Sequence, residues 1–361
     1  MIFLLDLPKP IHGMSVVNKA FIDKVSSEVD DYVVINTAPS YAANYFNGIL
    51  WIIVKFFHTI FCCFKLFYNL STNTNKSVYR SINGGWGQCY DVFYILIVRA
   101  FSRKIYIHHH SFSYLNNTSN IFKIVKIITG NKVTHIVLSN HMADILSSKY
   151  GVEKINITII SNLFSFDDAE NNYFSKPVEK VNIGYLSNIQ MDKGIDAFID
   201  VCRTLNSLNF NFTAKIAGPF SDDVSKKIVI AAVKEMAQIT YMAPLYTEGR
   251  VNFYKSLDCF VFPSRYRYEA EPLVLYEAAM YGIYILGTRQ GCMEEVIEKM
   301  DGTSFVFSTN MAQEIAATIK DKFESNCFST PAKNRRIEHI KKERIKATSA
   351  LIKLVKEINI V

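Results

Sequence analysis

Short apolar runs alternate with longer amphipathic stretches through the first half of the chain. Residues 2–5, 32–36, 77–81, 104–108 and 134–138 read as strands, with helical stretches between them. That rhythm predicts a parallel sheet covered by helices. It pauses over residues 161–180 (SNLFSFDDAENNYFSKPVEK), where polar residues and a proline mark a linker. It then resumes, with strands expected at 181–186, 213–217, 239–242, 259–263 and 284–286. Two successive doubly wound α/β units follow, residues 1–165 and 175–335, with 336–361 as a closing helix. Open sheets bind ligands beyond the carboxyl ends of their strands, so two such units facing each other are expected to enclose a cleft.

A different pattern occupies residues 49–68 (ILWIIVKFFHTIFCCFKLFY), a stretch long enough to cross a bilayer but interrupted by Lys55, His58 and Lys65. On a helix these three share one polar side, while Trp51, Phe56, Phe57, Ile60 and Phe64 populate the rest. Two readings remain open: a helix lying on a membrane surface, or one buried within its domain. The amino terminus, MIFLLDLPKP, has no basic lead and meets Asp6 and Pro8 at once, so it reads as a buried strand rather than a signal peptide.

Composition narrows the class. With 361 residues, 49% hydrophobic and 20% charged, the chain can bury large cores, which argues against disorder. Seven cysteines with no C-x-x-C pair argue against a disulfide framework or structural zinc, and fit a reducing cytoplasm. The net charge of +7 is concentrated in residues 333–346 (KNRRIEHIKKERIK), either a solvated helix face or a surface for anionic lipid or phosphorylated substrate. No motif for reading nucleic acid is present, so nucleic acid is not an expected partner.

The chemistry concentrates in residues 262–279, FPSRYRYEAEPLVLYEAA. Glu269 ends a loop after a strand and Glu277 follows eight positions later. A helix starting near Pro272 lets both carboxylates face one hollow, with the backbone N–H groups of Leu273 and Val274 and the positive end of the helix dipole offered to a diphosphate. The run Glu269-Ala270-Glu271-Pro272-Leu273-Val274 through Glu277-Ala278, followed by Gly282 and by residues 288–292, resembles the E-x7-E region of glycosyltransferase family 4, the group 1 glycosyltransferases. The resemblance implies a GT-B fold and a retaining, metal-independent transferase that takes a nucleotide-sugar donor and needs no cofactor. By it, Glu277 binds ribose hydroxyls and Glu269 contacts the transferred sugar. Residues 184–196 (GYLSNIQMDKGID) are similar to the family's phosphate-binding turn, with Lys193 as the cation that steadies the departing nucleoside diphosphate. Many relatives carry an arginine five positions before that lysine; here Asn188 stands there, so Arg265 or Arg267 is expected to help. Gly218 resembles a loop glycine that leaves space for the base or ribose.

The first unit offers weaker signals. Gly13 in LDLPKPIHGMSVVN allows close backbone approach, Ser15 is placed to cap the next helix, and His12 is either a loop residue or an acceptor contact. Gly84 and Gly85, with Gly87 and Asp91, form a strand-to-helix turn open to an acceptor or merely tight. In IYIHHHSFSY three consecutive histidines point to alternate sides without a neighbouring carboxylate, which disfavours metal. The resemblance makes His110, or failing that His109, the contact with the reacting sugar. The acceptor expected is a lipid-linked or lipopolysaccharide or capsule oligosaccharide, with the protein cytoplasmic or peripheral on the inner membrane. A nucleotide-sugar epimerase of related fold and a noncatalytic nucleotide-sugar-binding partner are the competing readings.

Overall fold

A computed structural model describes residues 1–29, 31–46, 48–73, 76–130, 132–167 and 178–359. The chain divides into two units: the first comprises Met1–Phe166 with Ile345–Val361, the second Asp167–Arg344.

In the first unit the order is β1 (Ile2–Leu5), α1 (Gly13–Val25), β2 (Val33–Asn36), α2 (Ile49–Thr72), β3 (Val78–Ile82), α3 (Gln88–Ala100), β4 (Ile105–His109), α4 (Ser113–Asn116), α5 (Asn120–Thr129), β5 (Val133–Val137), α6 (Asn140–Tyr150) and β6 (Ile157–Ile159). The strands form one parallel sheet ordered β2-β1-β3-β4-β5-β6, with Ile2 opposite both Val33 and Val78. β1, β3 and β4 are buried along their full length, as strands covered on both faces must be. Phe21 of α1 stacks on Tyr79 of β3 at 4.4 Å.

The second unit follows the same plan with β7 (Val181–Leu186), α7 (Ile195–Ser207), β8 (Phe212–Ala217), α8 (Asp223–Glu235), β9 (Ile239–Tyr241), α9 (Thr247–Lys255), β10 (Cys259–Phe262), α10 (Leu273–Met280), β11 (Tyr284–Thr288), α11 (Met293–Lys299), β12 (Thr303–Phe305), α12 (Met311–Glu324) and α13 (Thr330–Asn359). Its parallel sheet is ordered β12-β11-β10-β7-β8-β9.

The apolar runs foresaw ten of these strands to within two residues at either end. β6 and β12 carried no such run, because each is a three-residue edge strand with only partial burial. The expected linker is also shorter at its start: Asn162, Leu163 and Phe164 are buried in the first unit, with Phe164 edge-on to Phe21. Residues 168–177, the rest of its polar middle, lie outside the described residues. All seven cysteines are free thiols.

Two charge patterns differ from expectation. The basic run at 333–346 is not wholly a solvated face. Lys333 is buried, with its Nζ 2.7 Å from Asp258 Oδ1, and Arg336 Nε donates to the Gly282 carbonyl at 2.8 Å, so both tie the start of α13 to the second sheet. α2 places Lys55 and His58 inward rather than toward water. Lys55 Nζ reaches Asp6 Oδ2 at 2.9 Å and His58 Nε2 lies 3.0 Å from the Asn36 carbonyl. Lys65 alone of the three is exposed, its ammonium 4.6 Å above the Phe61 ring.

Candidate functional site

The second unit gathers its chemistry on the loops that leave adjacent strands β7 and β10. After β7 a short turn ends at Lys193. Its ammonium lies 2.5 Å from Glu269 Oε2 and 4.5 Å from the Tyr266 ring centre, both on the loop after β10. Ser264 Oγ donates to the same Oε2 at 3.2 Å. Glu269 is therefore gripped through one oxygen, while its Oε1 makes no hydrogen bond among the described residues. The loop is held in turn by Gly291, whose φ of +59° and position against the Glu269 carbonyl, 2.1 Å from where a Cβ would stand, exclude any side chain.

Pro272 caps α10 from the extended region, which ends the loop and starts the helix where the sequence pattern placed it. The Leu275 N–H bonds the Pro272 carbonyl at 3.2 Å, leaving the N–H groups of half-buried Leu273 and Val274 without an acceptor among the described residues. One turn on, Glu277 is gripped like Glu269. Tyr254 Oη (2.7 Å) and the Arg250 guanidinium both donate to its Oε2, and Oε1 makes no hydrogen bond among the described residues. Burial works against the Arg250 charge, but the Glu277 carboxylate beside it more than compensates and raises its pKa. Burial, then the Glu277 charge, pushes the Tyr254 hydroxyl far up, so it stays a donor. Arg250 had no sequence signal, since α9 shows little amphipathic pattern and the pairing spans 27 positions.

Other predicted residues stand differently. Arg265 is engaged by a bidentate pair with Asp196, at 3.0 and 2.9 Å, which neutralises it locally and takes it out of the role of spare cation for a donor. Asn188 is exposed on the loop after β7. Gly218 yields the place of a side chain to the neighbouring loop rather than leaving it as space for a base or ribose. Its φ is +128° and a Cβ would fall 1.8 Å from the Ser187 carbonyl, so the glycine serves the close approach of two loops of the unit.

In the first unit His12, not Ser15, is the N-cap of α1: His12 Nδ1 accepts from the Ser15 N–H at 3.3 Å and Ser15 Oγ accepts from the His12 N–H at 3.0 Å. Both side chains are thereby occupied by the helix start, while the space beside Gly13 is open. The Gly85 N–H bonds Ser113 Oγ at 3.0 Å, and Gly84 lies against Ser111 and Ser113. His109 is removed as a direct contact. It is fully buried, with Nδ1 2.7 Å from Tyr114 Oη and Nε2 2.9 Å from His135 Nδ1. His110, the residue after β4, is half-buried and its Nε2 has no hydrogen-bond partner among the described residues. Burial, then the charge of His12, lowers its pKa to about 3, so it is a neutral hydrogen-bonding group at physiological pH. Among the described residues no group of three or more histidine, cysteine or acidic side chains is placed to hold a metal.

Residues 167–343, just under half of the chain, match the family model described as glycosyl transferases group 1. An uncharacterized 41.2 kDa protein in the cps region of Klebsiella pneumoniae is 22% identical over 205 residues, and the chain spans 54% of its length. HepE of Anabaena, solved in complex with UDP, superposes with a TM-score of 0.73 at 13% identity and full coverage of both chains. WaaG, a glycosyltransferase involved in lipopolysaccharide biosynthesis, gives 0.58 at 13% identity over 99% of each chain. At these identities the two solved structures establish the fold, the two-sheet arrangement of GT-B glycosyltransferases.

Proposed function

From the premise that residues 167–343 are a group 1 glycosyltransferase domain, we propose that this chain transfers a sugar from a nucleoside diphosphate sugar to a lipid-linked or cell-surface oligosaccharide, with retention of configuration and without a metal. The observation that carries the proposal is the paired state of the two glutamates, each anchored through Oε2 with Oε1 open, flanking the unoccupied amides of Leu273 and Val274. A carboxylate oxygen held open in this way accepts hydrogen bonds from sugar hydroxyls. In this reading Glu277 takes the ribose and Glu269 the transferred sugar. The departing diphosphate gains negative charge as the glycosidic bond breaks, and Lys193 with the α10 amides stabilises it where a metal would otherwise be needed.

HepE was solved with UDP and, in a second structure of TM-score 0.69 and 12% identity, with UDP-glucose, which supports a uridine nucleotide as the donor carrier. The cps-region relative and WaaG support an acceptor belonging to capsule or lipopolysaccharide. The test is a screen of nucleotide sugars, with binding and turnover measured on the intact protein and on Glu269→Ala. Turnover is expected to fall by about two to three orders of magnitude in the variant, the range seen when one group stabilising a transition state is removed. Undiminished turnover would remove Glu269 from the chemistry, and release of free epimerised sugar would replace transfer with isomerisation.

A further inference from the structure

α2 turns an apolar side outward, the reverse of what a helix on a water-soluble surface does. The inward side carries Lys55, His58, Thr59 and Cys62 before it turns apolar at Leu66 and Leu70, while Ile53, Phe56, Phe57, Ile60, Phe64 and Phe67 are each 40–71% exposed on the other. It is also the one helix among the described residues that is long and apolar enough to cross a membrane. Crossing is incompatible with its anchorage, because Lys55 is held to Asp6 beyond β1 and His58 to the end of β2. The apolar side therefore faces outward on a helix that lies flat on its unit.

The face extends beyond α2. The chain passes from β2 to β3, β3 to β4 and β4 to β5 in one direction across the sheet, and such crossovers are right-handed, so α2, α3 and α5 cover the same side. α3 packs against both α2 and α5. α3 adds exposed Phe93 and Leu96, and α5 adds Ile124 and Ile127. The charged side chains that these three helices expose have one sign. Lys65, Arg99, Lys123 and Lys126 lie on the three helices, whose single acidic residue, Asp91, is buried against Arg80.

We infer that the outer face of α2, α3 and α5 docks on an anionic lipid surface, with the α2 aromatics inserted among acyl chains and the four cations set against headgroup phosphates. The inference rests on the proposed function only for the lipid-linked acceptor it brings within reach. A rim of one sign favours an anionic lipid surface over a second copy of the chain, whose same face would bring further cations and no exposed acidic partner from these helices. Apolar insertion combined with basic residues is the combination that holds an interfacial helix to anionic lipid.

The test is flotation of the purified full-length protein with vesicles of phosphatidylcholine alone or mixed equally with phosphatidylglycerol. Binding is expected with the anionic vesicles and is expected to weaken as salt rises. The double variant Phe57→Ser, Phe64→Ser should lower the partition coefficient by about tenfold or more, because two partly inserted rings are lost. Lys123→Glu with Lys126→Glu should remove the preference for anionic lipid while leaving the apolar face intact. A melting curve and a UDP titration on each variant check folding and keep the two proposals apart. Loss of vesicle binding with UDP binding retained supports the lipid face. Wild-type protein that binds UDP but ignores anionic vesicles overturns the lipid face and leaves the transferase reading standing. A wild-type dimer in sedimentation that the serine variant abolishes would assign the face to a second copy instead.

Discussion

The two units share a sheet plan, but the polar groups at the heart of the first and at the candidate site of the second are placed differently. The first draws charge inward: Arg80, 1% exposed, joins Asp91 of α3 to Thr37 and the Leu4 carbonyl, and Asp6 pairs with Lys55. Burial alone would raise the Asp6 pKa, but Lys55 and Arg80 outweigh it and hold it near 2. The second unit also buries one pair, Lys333 with Asp258, but at its candidate site Arg250 with Glu277 and Arg265 with Asp196 are partly exposed, and Lys193 reaches the buried Glu269 from the edge of the loop. A buried network specifies how one unit packs, whereas a half-open one leaves carboxylate oxygens for a ligand. One fold thus serves rigidity on one side and chemistry on the other.

Acid should separate the units most strongly. His110 and His135 have pKa values lowered to about 3 and about 4, chiefly by burial, and burial also pushes His108 and His109 well below the ordinary range. The unfolded chain takes up protons near pH 6.5 that the folded first unit refuses until far lower, so stability falls as pH drops from about 6.5 toward about 4. For His110 and His135 together the loss by about pH 4.5 is on the order of several kcal/mol. Both tryptophans, Trp51 and Trp86, belong to the first unit, so their fluorescence follows its unfolding in urea while circular dichroism follows both units. The tryptophan midpoint should fall steeply with acidification. A midpoint unchanged between about pH 7 and about pH 4.5 would sink the reading of a neutral histidine core.

Next in size is the contrast between two arginine–aspartate pairs. Arg80→Met strips a buried carboxylate of its partner and should destabilise the first unit by about 3–5 kcal/mol. Arg265→Met breaks a bidentate pair whose side chains are 26% and 30% exposed, and should cost under about 1 kcal/mol. Urea titrations of both variants give the comparison, and equal losses would erase the distinction drawn between the units.

How much of this was legible in the sequence follows the same division. The glutamates of the second unit were found because a strand end, a proline and a short helix carry them within one local run, and local runs are what a linear pattern encodes. Arg250 was missed because its partner is supplied by tertiary packing. In the first unit periodicity gave α2 two sides but not their orientation. The inward one is decided by Asp6, 49 positions away, which makes burial of Lys55 tolerable. His109 looked like a candidate contact for a similar reason, since its partner His135 lies on the next strand of the sheet and 26 positions along the chain.

The smallest effect concerns the charge that the second unit lacks. With Arg265 committed to Asp196 and Arg250 to Glu277, a diphosphate is left with Lys193, which already shares its charge with Glu269, and with exposed Arg267, whose guanidinium lies 5.5 Å from the Tyr268 ring centre. Asn188 is exposed on the loop after β7 at the position where the resembling family usually has arginine, so Asn188→Arg adds a charge without disturbing a packed group. A solvent-screened cation of this kind contributes up to about 1 kcal/mol, and UDP affinity by calorimetry should rise about threefold to fivefold at low salt and return toward the wild-type value as salt increases. UDP affinity unchanged at low salt in a folded variant would mean that the diphosphate does not pass near this loop, and its site would have to be drawn around the α10 amides and Arg250 instead.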